Sequence, residues 1–274
     1  MRTSRAPHRV SLPRALSKLG LTSRSQAFRD ISDGKVKVNG NLEVNPHRWV
    51  NLQQDKIEVD GRMAKRVEDR YVLFHKPKGV TTTRSDERGG HTIYSILGAD
   101  VDGLMPVGRL DKETTGLLLL TNDHKLADFL TSPRSGIPKT YIATVNFPIS
   151  RNHLAQLGIG VEIVTDGKPW TARAIKTRLL KPTDVEISIA EGKNRQVRKM
   201  FEAVGYVVLD LKRVSLGPLS LGNMKEGQMK ELTREEISEL KNMMQRKRPT
   251  PNLRHQSHLR HQAHKPRRKQ SHRA

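Results

Sequence analysis

Cysteine does not occur in the 274 residues. Thiol nucleophiles, disulfides and cysteine-based zinc sites are thereby excluded together, and any chemistry falls to oxygen and nitrogen groups. Long apolar runs are missing as well. Nothing approaches the roughly 18 to 20 residues needed to cross a bilayer, and the start of the chain has no apolar segment of the signal-peptide kind. A cytosolic protein with no membrane partner is the expectation. The first ten residues are rich in arginine and free of acid, as transit sequences are, but within a few residues they run into a pattern typical of folded structure. Aromatic residues are scarce, 11 in all, so an aromatic inside a candidate site weighs more than it would elsewhere.

Negative charge is the next shortage. Against 50 lysines and arginines stand 28 aspartates and glutamates, a formal net charge of +22. Residues 1–70 carry a net +7, residues 71–245 a net +5, and residues 246–274, with ten basic side chains and no acid, a net +10. Basic ends around a nearly balanced middle suit a polyanion gripped by flanking elements, because phosphate contacts supply most non-specific affinity for nucleic acid. A membrane surface also attracts such charge, but the sequence shows no basic amphipathic helix with an aromatic or leucine face. Nucleic acid is the expected partner, and a monomer the default state.

What is present is enough for a sizeable core, and the length allows one small and one large domain. Leu12, Ala15, Leu16 and Leu19 fall at helical spacing, with Ser11 as cap, Pro13 in the first turn and Gly20 as stop. A second short helix is predicted from Thr22 or Ser23 to Gly34, burying Ala27, Phe28 and Ile31. Lys35 to Gly40 alternates as a strand and ends in Asn39-Gly40, a hairpin signal, with Leu42 and Val44 on the return and a further strand at Lys56 to Gly61. The unit, residues 10–61, carries Arg14, Lys18, Arg24, Arg29 and Lys35 on its polar side, which on charge alone is as consistent with a solvated face as with binding.

The order Leu-x-x-Ala-Leu-x-x-Leu-Gly, then Ser23-Arg24-Ser25-Gln26-Ala27, then Gly34-x-Val36-x-Val38-Asn39-Gly40 resembles the small RNA-binding domain first seen in the fourth protein of the ribosomal small subunit. That resemblance implies docking on folded RNA through the two helices, by shape and phosphate contacts.

Residues 62–70 read as a polar linker. Strands are then predicted at Tyr71–Phe74, Leu117–Leu120, Lys139–Val145, Trp170–Ile175 and Val185–Ile189, and helices at Lys125–Leu130, Arg151–Leu157 and Arg195–Val204. Without a regular βαβ beat they imply an α+β domain, residues 71–245, around a mainly antiparallel sheet with a central cleft. Leu232-Thr233-Arg234-Glu235-Glu236 opens a last helix with a capping box, ending near Met244. Residues 246–274 have no periodicity and are expected to be a disordered basic arm. Its His255, His258, His261 and His264 recur every third residue, a spacing that could hold a metal on a helix. No carboxylate lies nearby and the flanks are arginine-rich, so a cationic arm is the plainer reading, and no metal or cofactor is expected.

Three segments carry the chemistry. Lys76-Pro77-Lys78-Gly79 with Thr81 to Thr83 is the first, Gly108-Arg109-Leu110-Asp111 followed by Thr114-Thr115-Gly116-Leu117 the second, and Glu191 to Met200 the third, with Lys139-Thr140-Tyr141 between them. In this order they resemble the ribosomal RNA pseudouridine synthases, over residues 10 to 240. One departure is His75, where the family usually has asparagine; it bears on a local loop hydrogen bond and not on the chemistry.

The resemblance implies that uridine is isomerised to its C-glycoside in ribosomal RNA, free or in an assembly intermediate, with Asp111 as the catalytic carboxylate. It implies that Arg198 pairs with Asp111, that Tyr141 stacks on the extracted base and that Leu211 lines the pocket. By position alone Arg198 would be an exposed helix charge, Tyr141 a core tyrosine and Leu211 core packing. Arg109 either holds a phosphate or braces the Asp111 loop, while Lys76 and Pro77 shape a loop beside the cleft, with Lys76 counted among the RNA-contacting residues. The long basic arm tilts the expectation toward large-subunit RNA by analogy. Two rivals remain: an RNA-binding assembly factor without catalysis, and a metal-dependent RNA hydrolase built on Asp111, Glu113 and Asp123.

Overall fold

The computed structural model describes residues 9–22, 24–52, 54–63, 68–83 and 89–246. In the N-terminal unit, α1 (Leu12–Lys18) and α2 (Arg24–Ser32) cross a small sheet of β1 (Val36–Val38), β2 (Asn41–Leu42), β3 (Ile57–Val59) and β4 (Arg62–Met63), in the order β2-β1-β3-β4. Leu12, Ala15, Leu16, Ala27, Ile31, Val36, Val38 and Ile57 form its core. Two sequence expectations fail here. Phe28, expected to be buried, is 43 % exposed on α2. Ser11 stands at the N-cap position of α1, but its hydroxyl makes no capping bond.

Tight turns set the strand register. Asn39 and Gly40 take φ of 55° and 82°, and Asp60 and Gly61 take 48° and 74°, the left-handed pairs that close two-residue hairpins. The second turn brings Arg62 and Met63, expected in a linker, back against Glu58 and Val59 as β4. At the far end of that stretch, the Arg70 amide donates to Asn122 Oδ1 at 2.7 Å, and Asn122 Nδ2 donates to the Glu68 carbonyl at 2.9 Å.

The larger unit contains β5 (Tyr71–Lys76), α3 (Ile93–Leu97), β6 (Thr115–Thr121), α4 (His124–Thr131), β7 (Lys139–Val145), α5 (Arg151–Ile159), β8 (Val161–Thr165), β9 (Lys168–Ala172), β10 (Lys176–Lys181), β11 (Asp184–Ile189), α6 (Gln196–Ala203), β12 (Val208–Leu216), β13 (Met229–Glu231) and α7 (Arg234–Arg246). The main sheet runs β10-β11-β7-β12-β6-β5-β13, and short strands at Met105–Pro106 and Leu219–Ser220 complete it. All its pairings are antiparallel except β6 with β12. A separate hairpin, β8 with β9, stands off the sheet and carries Trp170. The predicted Trp170–Ile175 strand is thus divided: its first part lies in β9, and β10 begins only at Lys176. Among the described residues, no helix is long and apolar enough to cross a membrane.

Both faces of the sheet are covered, which accounts for the unalternating leucines of β6. Leu118 and Leu120 enter a core with Phe74, Tyr141, Ile187 and Phe201, while Leu117 and Leu119 enter a second with Leu126, Leu130, Leu216 and Leu240 under α4 and α7. Each such leucine contributes on the order of 2 kcal/mol by burial.

Across the middle of the sheet one transverse row reads Lys76, Gly116, Arg213, Tyr141 and Ile187, from β5 through β6, β12 and β7 to β11. The parallel join passes through Gly116. Its φ is +107°, and a Cβ there would stand 2.2 Å from the Arg213 carbonyl oxygen. Only glycine lets these two backbones come so close.

Candidate active site

Asp111 sits in the loop that enters β6, and two distant segments grip that loop by its backbone. From the first, Thr82 Oγ1 donates to the Leu110 carbonyl at 2.8 Å and accepts from the Leu110 amide at 3.3 Å. The Gly79 amide donates to the Lys112 carbonyl at 2.9 Å. From the third, Arg198 Nη2 donates to the Glu113 carbonyl at 3.0 Å. Within the loop, the Thr114 amide closes on the Asp111 carbonyl at 3.0 Å. Asp111 itself is half-buried, and its carboxylate takes no hydrogen bond or ion pair from a side chain among the described residues. A carboxylate held by its backbone and left with open lone pairs is suited to meet a ligand.

Arg198 corrects an expectation. It is buried, yet no ion pair joins it to Asp111 within 4.0 Å; Nη1 donates to the Val208 carbonyl at 2.7 Å, and Nε has no partner. The guanidinium's reach is taken by β12 and by the loop that carries Asp111, so it fixes where the carboxylate stands and acts on it as a charge. Burial lowers its pKa, aided by Arg195 and opposed by Asp111, Asp210 and Glu113.

Lys76 is a second correction. It is fully buried, and its ammonium donates to the carbonyls of Val80 at 2.7 Å, Pro77 at 2.9 Å and Lys112 at 3.4 Å. Its place is to staple the first segment to the Asp111 loop, out of reach of RNA. Burial pushes it down to about 8, against the pull of Glu113, Asp111 and Glu226. The adjoining His75 places Nδ1 2.8 Å from the Met224 carbonyl, which anchors the loop before β13.

A cavity of about 230 Å³ opens over Asp111. Arg109, Asp111, Tyr141, Ile189, Leu211 and the 192–197 turn into α6 line it. Tyr141, Leu211 and Arg109 are thus brought together with the carboxylate, Tyr141 and Leu211 nearly buried and Arg109 exposed. Asp123 and Glu113 are not. Asp123 lies beyond the far end of β6, about 20 Å along a seven-residue strand, where it caps α4 through the Lys125 and Leu126 amides and accepts from Tyr71. Glu113 is exposed on the loop.

A second cavity of about 230 Å³ shares Arg109, Tyr141, Gly192 and Lys193 with the first and adds Lys139, Trp170, Glu191 and Arg213. Lys139 opens the Lys139-Thr140-Tyr141 segment and Arg213 follows Leu211, yet neither takes a role from motif alone. The signal was phase: Lys139 shares the inward face of β7 with Tyr141, Ala143 and Val145, and Arg213 follows Leu211 on the inward face of β12. Burial, together with the Arg213 charge, pushes Lys139 down to about 8, with Glu191 opposing. The folded chain then releases this proton near pH 8, while the unfolded chain holds it to the model-peptide value of 10.5. Between these values the unfolded state binds more protons, so the Lys139 contribution to stability rises with pH; below about 8 its penalty is complete. In urea unfolding, Lys139→Met should therefore lose about 2 kcal/mol relative to wild type between pH 7.5 and 9.5. A pH-independent difference would refute the assigned environment.

Of the basic side chains on the N-terminal unit, Arg14, Arg29 and Lys35 are exposed. Arg14 stands 3.9 Å from Asp128 of α4, a solvent-screened pair of little energetic weight. Lys35 lies 3.3 Å from Asp33, and Arg29 donates to Gln26. Lys18 is half-buried, its pKa lowered by burial and by the Arg14 and Lys125 charges. Arg24 opens α2, but its side chain lies outside the described residues, as do residues 247–274 with their histidines. Among the described residues, no group of three or more potential ligands could hold a metal.

A two-sided sheet with an open carboxylate beside its central join, preceded by a helical unit with exposed cations, fits an enzyme that acts on a polyanion such as nucleic acid. Residues 70–203 match the family described as RNA pseudouridylate synthase, and residues 10–43 match the S4 domain. The ribosomal large subunit pseudouridine synthase B of Bacillus subtilis is 37 % identical over 233 residues, 84 % of this chain and 95 % of that one. An uncharacterized RNA pseudouridine synthase of Mycobacterium tuberculosis is 37 % identical over 244 residues, covering 86 % and 95 %. A crystal structure of a pseudouridylate synthase superposes with a TM-score of 0.61 at 32 % identity, covering 84 % of this chain and 99 % of the other. The chain belongs to the RNA pseudouridylate synthase family.

Proposed function

We propose that this enzyme converts a uridine of ribosomal RNA, in the large subunit, to pseudouridine, working as a cytoplasmic monomer. The observation that carries the proposal is the convergence of the first and third sequence segments on the Asp111 loop, with Tyr141 and Leu211 lining the same cavity. The Bacillus subtilis relative's name supports the choice of subunit.

The reaction breaks the bond from N1 to the ribose C1′, turns the base and joins C5 to C1′; the C5 proton leaves and N1 gains one. It is redox-neutral and adds no water, so no cofactor enters the proposal. Asp111 supplies the carboxylate, as nucleophile on sugar or base or as the base of a glycal route. Tyr141 forms the floor on which the extruded base rests, and Leu211 closes the apolar wall. Arg198 is assigned as a positioning residue that holds the Asp111 loop through the Glu113 carbonyl. Arg109 and the cations of residues 10–61 hold phosphates, and residues 246–274 act as a basic arm that adds non-specific affinity.

The test is isomerisation of unmodified small- and large-subunit RNA in chelator, mapped by carbodiimide labelling and primer extension. A single new stop in large-subunit RNA is the expected result. A stop in small-subunit RNA would move the substrate, and binding with no stop in either would overturn the proposal for free RNA.

A further inference from the structure

Trp170 is one of two tryptophans in the chain, and it is placed where no packing need accounts for it. The β8–β9 hairpin holds it at the mouth of the second cavity, 42 % exposed, with the Lys193 ammonium 4.3 Å from its ring. A half-exposed indole costs apolar hydration unless something covers it. Behind it the cavity is about the size of the one over Asp111 and opens onto the same wall, Tyr141. Its inner side offers donors: Lys139, whose ammonium makes one 3.2 Å bond to the Ile137 carbonyl, and Arg213, whose Nη2 is buried without a partner.

We propose that this cavity is a subsite for a second unstacked nucleotide, a neighbour of the target uridine. Its base stacks on Trp170, and an acceptor edge of that base turns toward Lys139 and Arg213. Lys193 and Arg109, which border both cavities, lie where the backbone joining the two nucleotides would pass. Trp170 would then select the register of the RNA, since two bases must leave the stack together and only one spacing fills both cavities. The inference rests on the activity proposed above.

The experiment uses the full chain in a Trp49→Phe background, so that Trp170 is the sole emitter. Asp111→Asn is added to hold unreacted a large-subunit RNA fragment that carries the target uridine, and each neighbouring nucleotide is made abasic in turn. RNA should quench Trp170 by half or more, and one abasic position should restore the emission. In turnover assays without Asp111→Asn, Trp170→Ala should lower kcat/KM by roughly 5- to 150-fold, the range expected for one base stacked on an aromatic ring. Trp170→Phe should stay within about threefold of wild type, because it keeps a stacking face.

Unchanged emission, or a Trp170→Ala defect that neither Trp170→Phe repairs nor any abasic position reproduces, would overturn the subsite while wild-type turnover left the activity standing. Quenching that one abasic position abolishes, with no isomerisation by wild type, would do the reverse. Loss of both readouts would overturn both.

Discussion

Asp111→Asn is expected to lower isomerisation by about a thousandfold or more, on the order of 4 kcal/mol of transition-state stabilisation. RNA affinity should stay within a few-fold of wild type. The replacement keeps the shape of the side chain and removes its charge. Because the carboxylate accepts no side-chain bond among the described residues and its loop is held by backbone contacts to Leu110, Lys112 and Glu113, the replacement removes none of the contacts that position the loop. With binding assigned above to cations elsewhere, affinity and turnover should separate in single-turnover rates set beside filter-binding titrations. A variant that retained a tenth of the wild-type rate would remove Asp111 from the chemistry; one that lost RNA binding in parallel would make it a structural residue.

Gly116→Ala should cost about 4 kcal/mol or more and leave little soluble folded protein, an effect larger than that of any surface change. Two penalties coincide at this position. The left-handed φ disfavours a side chain, and the added methyl would meet Arg213 oxygen at 2.2 Å and nitrogen at 2.7 Å, atoms of a neighbouring strand that cannot swing aside. Relief requires β6 and β12 to part, which breaks their join at the centre of the sheet. Urea unfolding, with soluble yield as a second readout, decides the matter; a midpoint within 1 kcal/mol of wild type would show that the strands do not approach as described.

How far the sequence could be read depended on what each feature needed. The leucines of β6, the Asn39-Gly40 turn and the Asp123 side of α4 follow from local pattern, and the structure has them. β12 was harder to read as a strand: Asp210, Lys212 and Arg213 break up its apolar character, yet Arg213 lies in the sheet with its Nε donating to the Leu117 carbonyl at 2.8 Å. β8, by contrast, carries the β-branched residues and the buried–exposed alternation of a hairpin strand in its own sequence. In the candidate site, Asp111, Tyr141 and Leu211 stand out by motif, and they line one cavity. The partners of Arg198 and Lys76 do not, because both bond backbone carbonyls, which leave no mark in side-chain identity. Trp170 belongs to no motif, and a predicted strand over Trp170–Ile175 says nothing of the cavity beside it.

The parallel join has a consequence in time. Gly116 and Arg213 lie about a hundred residues apart along the chain, and pairings of such separation close large loops and form slowly. Asp111 belongs to one bank of that seam, whereas Tyr141, Arg198 and Leu211 belong to the other. A chain still emerging from its ribosome, next to the kind of RNA it is proposed to modify, therefore carries the carboxylate long before it carries the pocket, and catalysis begins only when the seam shuts.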